Sequence, residues 1–589
     1  MTRLRLARLL LGLAAVAAVL SAWAFFTGGF RVKFLGIPLS VRGADRAAFI
    51  ALACAITGTF LHDGLHYRMR SGVAAARNFP FLPALAGVAA AFVLGAGITF
   101  GTRATGGADV YGYVSQSELW RQGDLRIRQD FVALIPWPNA EWSFSPLGYR
   151  PGDNHTIVPT YPPGLPLIMM LFSLVLGRIG PHAVPWAAGA ALVLLTYALG
   201  TRLSGRAVGA IAALCVASSP IVLMMTFSTM SDVPVAVFWV ASMLIACRGT
   251  RAGAAGAGLL AGIAVLVRPN LAPLVIAPFA VAVWRSSGPA DRLWLARAVA
   301  FGAAFAPGPL FIGWLFNELY GSPLTSGYGD TSALFAWSHV PINLKNYPQW
   351  IWESQGPFVF LFLLTPFFMV RRAGALVRAA LLAFIAMLFV CYLLYRPFDA
   401  WWWTRFLLPA YPFMFILAAD VVWLGTDRFG KRTQTAAALL FALAMVYYGG
   451  SNTHQRQIHH VGHGEQKYAE VGRHVDRTLP KNAIIYAMQH SGTVRYYSDR
   501  LTIRYDYIDR HWLDRSIAHV QTLGYEPFFL LDDWEVPIFQ EKFASQGHAA
   551  LVAKEPPHGR CTHTTFIYRV VMRTGVPPSE RIPQTLGCE

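Results

Sequence analysis

Charge is scarce in this sequence. Only 14% of its 589 residues are Asp, Glu, Lys or Arg, where a soluble chain carries about a quarter. The shortfall is uneven: residues up to about 450 read as apolar blocks with short Arg-rich spacers, and the remainder has ordinary soluble composition. Cysteine is sparse as well. Six are present, with no CxxC and no His/Cys cluster, so nothing suggests a structural metal site. Cys54, Cys215, Cys247 and Cys391 lie in apolar blocks as packing residues, while Cys561 and Cys588 lie in the polar tail, where export would permit a disulfide. A long basic face interleaved with stacking aromatics is also missing. The net charge of +18 therefore does not indicate nucleic acid. Its arginines stand at the ends of apolar blocks, the pattern left by membrane topology.

What is abundant is apolar sequence: 55% of the chain. A spanning helix needs roughly 20 such residues. Candidate spans are 6–26, 46–61, 80–100, 184–201, 206–224, 233–247, 253–268, 270–284, 298–316, 353–370, 376–394, 406–424 and 435–450, a mainly α, polytopic bundle of about 13 spans. The first is read as an anchor helix, since no small-residue cleavage site follows it. Arg68, Arg70 and Arg77, Arg202 with Arg206, Arg248 with Arg251, Arg285 to Arg297, Arg371, Arg372 and Arg378, and Arg428 to Arg432 mark one side. With the N-terminal arginines they form a cytoplasmic set. The alternation requires that 162–177, which opens Tyr161-Pro162-Pro163-Gly164-Leu165-Pro166, is re-entrant or interfacial. The loop 27–45 breaks the rule, carrying Arg31, Lys33 and Arg42 outside.

This arrangement is a multi-pass protein of the plasma (inner) membrane with a cytoplasmic N-terminus. Segments 101–183 and 317–352 and the whole tail face the exterior. Residues 1–79 hold additional helices, 80–450 the main membrane domain and 451–589 a small α/β domain. In the tail, Ile484–Met488, Leu501–Tyr505, Phe528–Asp532 and Phe566–Val571 have strand character, and 465–478, 511–523 and 535–545 suit helices.

Four residues break the membrane pattern at external helix ends. Asp109, in Gly106-Gly107-Ala108-Asp109-Val110-Tyr111-Gly112-Tyr113, precedes an amphipathic stretch. A carboxylate there either caps that helix or takes a proton from an attacking hydroxyl. Asp232, in Ser231-Asp232-Val233-Pro234, poses the same choice on the same face. Two converging carboxylates could share a divalent cation. Arg268 and Arg405 suit either headgroup contact or a lipid-borne phosphate whose departing charge they stabilise. Trp401-Trp402-Trp403 reads as an interfacial belt rather than a sugar platform.

In this order the motifs resemble the GT-C membrane glycosyltransferases, nearest to the family 39 group that includes protein O-mannosyltransferases and aminoarabinose transferases. The features that carry the likeness are Gly107-Ala108-Asp109 with Tyr111 and Tyr113, Tyr161-Pro162-Pro163-Gly164, Ser231-Asp232-Val233-Pro234, the run Gly258 to Pro269, and Arg405-Phe406-Leu407-Leu408-Pro409. The resemblance spans about 80–450. It implies inverting transfer from a polyprenyl-phosphate sugar to a glycan, lipid or protein hydroxyl, with Asp109 as base. Asp232 would assist, Arg268 and Arg405 would hold the lipid phosphate, and Tyr111, Tyr113 and Tyr161 would line the substrate site. The sequence departs from the family where Val110 follows Asp109, since members often carry a second acid there. It departs again at Tyr161, where aminoarabinose transferases have Lys. From another class, a transporter or flippase of a lipid-linked precursor would also use many spans with polar residues at helix ends. No inverted repeat supports it. A non-catalytic assembly protein working through its tail is a third possibility.

Overall fold

The computed structural model describes residues 81–284, 293–329, 334–369 and 374–543, strands 30–34, 37–41, 550–555 and 565–571, and the single residues Leu13 and Ala17. The expected span 46–61, most of 6–26, and Cys54, Cys561 and Cys588 lie outside these. Cys215, Cys247 and Cys391 are free thiols, the first two buried. The alternation in the exceptional loop 27–45 forms antiparallel strands β1 (Phe30–Phe34) and β2 (Ile37–Val41).

Helices follow the apolar blocks. They are α1 (Phe81–Phe100), α2 (Asp109–Gln122), α3 (Gly164–Leu176), α4 (Gly180–Ser204), α5 (Arg206–Ser218), α6 (Pro220–Phe227), α7 (Asp232–Ala246), α8 (Arg251–Val267), α9 (Trp294–Phe305), α10 (Pro307–Tyr320), α11 (Ala375–Leu393), α12 (Tyr411–Thr426) and α13 (Lys431–Gln455). Among the described residues five helical stretches are long and apolar enough to cross a membrane, or six if α5 and α6, bent by 58°, are one span. The chain is thus a multi-pass membrane protein. Two of the 13 expected spans fall wholly or mostly outside the described residues, and several others are short: Asp232–Ala246 and Arg251–Val267 have fewer than 18 residues. Pro220 bends the block 206–224, and Pro269 and Pro357 turn the starts of two other blocks into 3-10 helix. Segment 162–177 gives α3, whose 13 residues reach only about 20 Å. A turn at Gly177–Ile179 follows, and Gly180 then lies so close to Ser173 that a Cβ would come within 2.5 Å of its backbone nitrogen.

Small residues let the helices approach closely. A Cβ at Gly258 would lie 2.2 Å from the Phe301 carbonyl oxygen, and one at Gly262 2.9 Å from that of Phe305, so α8 packs backbone to backbone on α9. One end of the bundle is tied by a buried ion pair. Arg378 at the start of α11 bonds Asp420 near the end of α12 at 2.6 Å, and Ser204 at the end of α4 donates to the same carboxylate. Arg378, read from the sequence as one of the cytoplasmic arginines, is 2% exposed and serves as this clamp.

The opposite end carries the long loops and the tail. In the first loop, β3 (Ile127–Arg128), β5 (Thr156–Pro159) and β4 (Tyr149–Pro151) make a small antiparallel sheet. The tail begins with α14 (Val461–Thr478). Its five-stranded sheet runs β7 (Leu501–Ile503), β6 (Ala483–Tyr486), β8 (Glu526–Asp532), β10 (Thr565–Val571), β9 (Ala550–Glu555), with β7, β6 and β8 parallel. The expected strands and helices are present; α15 (Ser491–Ser498) and β9 are additions. Val132, Trp137 and Phe144 of the first loop pack with Tyr486, Phe529 and Phe539 of the tail in one core.

At the carboxyl end of β8, Asp532 is fully buried and accepts from His490 Nε2 (2.9 Å), Lys467 Nζ (3.0 Å) and Thr565 Oγ1 (2.6 Å). Burial pushes its carboxyl up, but the hydrogen bonds and positive partners prevail and hold it well below the usual range. A depressed carboxylate contributes stability that is present above the unfolded value and lost as pH falls. We predict that Asp532→Asn destabilises the tail by roughly 3 kcal/mol. Unfolding monitored by hydrogen exchange should also show the wild-type tail weakening below about pH 4.

Candidate active site

Four chain segments meet at the loop-bearing end of the bundle. After α1 the chain is pinned by the Thr102 N–H donating to the Phe227 carbonyl at 2.8 Å. It turns through Gly107 in the left-handed region (φ 63°) and starts α2 at Asp109. Ala108 occupies the cap position, and no side chain caps that helix. The Asp109 carboxylate is spent elsewhere: Oδ1 accepts from the Tyr161 hydroxyl at 2.6 Å, and Oδ2 faces Arg405 Nη2 at 3.3 Å. Its side chain is 30% exposed. Capping therefore does not explain this residue.

Asp232 is the buried counterpart, with no exposed surface. It opens α7, also without a side-chain cap. Oδ1 accepts from Arg268 Nη2 at 2.6 Å, while Arg268 Nε donates to Ser231 Oγ at 3.0 Å. The glycine that follows the double proline before α3 has its reason here. A Cβ at Gly164 would lie 2.4 Å from the Val267 nitrogen, so the start of α3 sits on the backbone that presents Arg268.

Arg405 stacks on Trp403 (4.8 Å) and Phe406 (5.4 Å) and also lies under the fields of both Asp232 and Asp109. Trp403 in turn stacks on Phe398 at 3.8 Å. The Trp triplet was expected as an interfacial belt; Trp403 instead seats a guanidinium, and Trp401 carries Arg456 at 4.3 Å. Tyr113 donates to Ser231 at 3.3 Å and packs on the Tyr161 ring at 4.6 Å. Asp109, Asp232, Tyr113, Tyr161, Arg268 and Arg405 are thus gathered. Tyr111 is not: it lies on the other face of α2 against Tyr149, because residues two apart on a helix point about 200° apart.

Several buried polar atoms in this mouth make no hydrogen bond: Asp232 Oδ2, Arg268 Nη1 and Arg405 Nε. The two carboxylates and two guanidinium groups cancel in charge. Among the described residues no group of three or more His, Cys, Asp or Glu could hold a metal. With an Arg beside each carboxylate, this donor set does not fit a divalent cation, and no step is derived through one.

Sequence reasoning missed four participants. Ser231 stood in a quoted motif without a role, and Asn270, which donates to the Tyr392 hydroxyl at 3.1 Å, directly follows the run Gly258 to Pro269. Tyr328, whose ring meets Tyr161 edge-on at 6.0 Å, comes from the second external loop. Glu465 comes from the tail on α14, the helix whose Tyr468 lies where a Gly106 Cβ would be. Burial pushes the Glu465 carboxyl up to about 7; Lys467 opposes this and Asp109 adds to it.

Residues 160–315 match the family described as dolichyl-phosphate-mannose-protein mannosyltransferase. A search of curated sequences finds no match. Among solved structures, ArnT from Cupriavidus metallidurans bound to undecaprenyl phosphate shares 11% identity, with a TM-score of 0.52 over 83% of this chain and 98% of that one. The same protein in the apo state gives 12% and 0.50 over 85% and 98%. The archaeal oligosaccharyltransferase AglB from Archaeoglobus fulgidus, with an inhibitory peptide and a dolichol-phosphate, gives 13% and 0.49 over 78% and 70%. The chain has the GT-C fold of membrane glycosyltransferases and resembles glycosyltransferase family 39.

Proposed function

We propose that the protein is an inverting glycosyltransferase. It moves a sugar from a polyprenyl-phosphate donor to an acceptor hydroxyl at the extracytoplasmic face of the plasma (inner) membrane. The observation that carries this reading is the pair of buried guanidinium groups with unspent N–H donors beside two carboxylates. A buried donor without a partner costs about 1–3 kcal/mol, and a phosphate oxygen is the acceptor that suits it. The match to a dolichyl-phosphate-sugar transferase family, and a GT-C structure holding undecaprenyl phosphate, support a lipid-borne phosphate.

In this mechanism the polyprenyl chain lies among the apolar helices and its phosphate between Arg268 and Arg405. The arriving anion competes with Asp109 for Arg405, whose contact with the carboxylate is the longer of the two ion pairs. Asp109 Oδ2 is then free to take the proton from the acceptor hydroxyl. The acceptor oxygen bonds to the anomeric carbon on the face opposite the phosphate. The carbon–oxygen bond to phosphate breaks, and its electron pair remains on the phosphate, where the two arginines stabilise it. Asp232 holds Arg268 in place. Tyr161 holds Asp109, and Gly112 makes room for it: a Cβ there would fall 2.3 Å from the Tyr161 ring. Acceptors of three kinds, glycan, lipid or protein, are compatible with this chemistry.

Three outcomes test the reading, each measured by covalent transfer from a labelled polyprenyl-phosphate sugar with purified protein. Asp109→Asn is expected to lower kcat by about 10²–10⁴-fold while membrane insertion is preserved; near-normal turnover would remove Asp109 as the base. Gly112→Ala should displace the Tyr161 ring and lower kcat about tenfold, and Tyr161→Phe should act in the same direction. As pH rises through about 7, Glu465 ionises and adds a negative charge that acts on Asp109. KM for the donor should therefore rise above neutrality, and Glu465→Gln should flatten that rise.

A further inference from the structure

A second cavity, of about 550 Å³, lies on the far side of α2 from the mouth just described. The helix separates them. Tyr111, Ser115, Glu118 and Gln122 recur every three or four residues and face this cavity, whereas Asp109 and Tyr113 face the other. The remaining wall comes from the end of α1, the turn between α3 and α4, and the tail helices α14 and α15.

Its walls are rich in cations. Arg103, Arg178, Arg473 and Arg495 line it against two carboxylates, Glu118 and Asp499, leaving a surplus of two positive charges. None of the four arginines makes an ion pair within 4.0 Å among the described residues. Arg103 lies over Trp186 at 5.9 Å and gives one N–H to the Ile98 carbonyl; Arg473 lies over Tyr497 at 5.6 Å. Arg495 is held by Thr502 and the Phe144 carbonyl, partners without charge. Glu118 is engaged by the Tyr496 hydroxyl at 2.9 Å. Arg103, Arg473 and Arg495, oriented by rings, a hydroxyl and carbonyls and in no ion pair within 4.0 Å among the described residues, are prepared for an anion from outside. The volume suits one or two sugar rings, and Tyr149, Tyr496 and Tyr497 lie in its lining.

An exposed apolar edge lies close in sequence to the cavity residue Arg178. Leu174, Val175 and Leu176, at the end of α3 and just before Arg178, are 66%, 84% and 46% exposed, an apolar edge that lipid would cover. We infer that this cavity binds an acidic saccharide group, a sugar bearing phosphate or carboxylate. Under the transferase reading, on which this role rests, the group belongs to the acceptor. The acceptor's acidic group is then held behind α2, and its hydroxyl reaches Asp109 in the mouth. His182, on the cavity wall, bonds Thr229 at 2.8 Å, three residues before Asp232, which joins the two sites through one short loop.

Hydrogen exchange on the full-length protein in phosphatidylcholine nanodiscs tests occupancy without requiring turnover. The soluble probe is glucose 1-phosphate, the lipid-borne probe is phosphatidylinositol in the disc, and glucose is the uncharged control. Saturable protection of segments 111–122 and 491–499 by either charged probe, and not by glucose, is expected; the probe that protects identifies the source as soluble or lipid-borne. In the double variant Arg178→Gln with Arg473→Gln, half-saturation should rise roughly tenfold or more, while Glu118→Gln should tighten binding. No protection by either probe, equal protection in the double variant, or protection confined to 228–232 and 401–410 would overturn the assignment. A protein that binds these probes here yet transfers no sugar keeps the cavity and loses only its acceptor role.

Discussion

The buried pair of Asp232 and Arg268 is the constraint on which the site depends. Each is too deeply placed to be charged alone, since an isolated ion in such surroundings costs several kcal/mol. Each therefore holds the other at a helix end. The pairing is incomplete: one carboxylate oxygen and one guanidinium nitrogen are left without partners, so the pair is fixed in position but not saturated. The second pair, Asp109 and Arg405, is longer and more open. One pair is thus more fixed than the other, which is the asymmetry that the proposed base and phosphate clamp require.

Everything else places these four groups. Proline and glycine end the helices where a charged side chain must emerge, and the close approach of Gly164 to Val267 braces the Arg268 segment. At the far end of the bundle Arg378 and Asp420 make a pair with no unspent function, tying three helices together. The tail is not an appendage beside this machinery. It shares a hydrophobic core with the first loop, and α14 brings Glu465 towards Asp109. The tail therefore forms part of the wall around the mouth.

The gathering of Asp109, Asp232, Arg268 and Arg405 was legible because each interrupts an apolar pattern at a helix end, and the arginine alternation assigns those ends to one side. The tail strands were legible from short β-branched and aromatic runs. Faces of one helix were harder. Tyr111 and Tyr113 stand in the same motif, yet helical periodicity sends them to different cavities. Contacts made across hundreds of residues left no local signal, as with Tyr468 of α14 against Gly106, or the arginines of α14 and α15 lining one cavity with those of the first loop. Arg378 and Trp403 show the same limit. An arginine at a helix end and a tryptophan at a boundary have common roles at a membrane surface, and only packing shows that both are committed inward.

The most direct measurement is an experimental structure of the full-length protein with a polyprenyl phosphate bound. The account predicts phosphate density between Arg268 and Arg405, within hydrogen-bonding distance of both, with Asp109 turned from Arg405 towards open space. Phosphate seated away from both arginines, with the two ion pairs undisturbed, would contradict it.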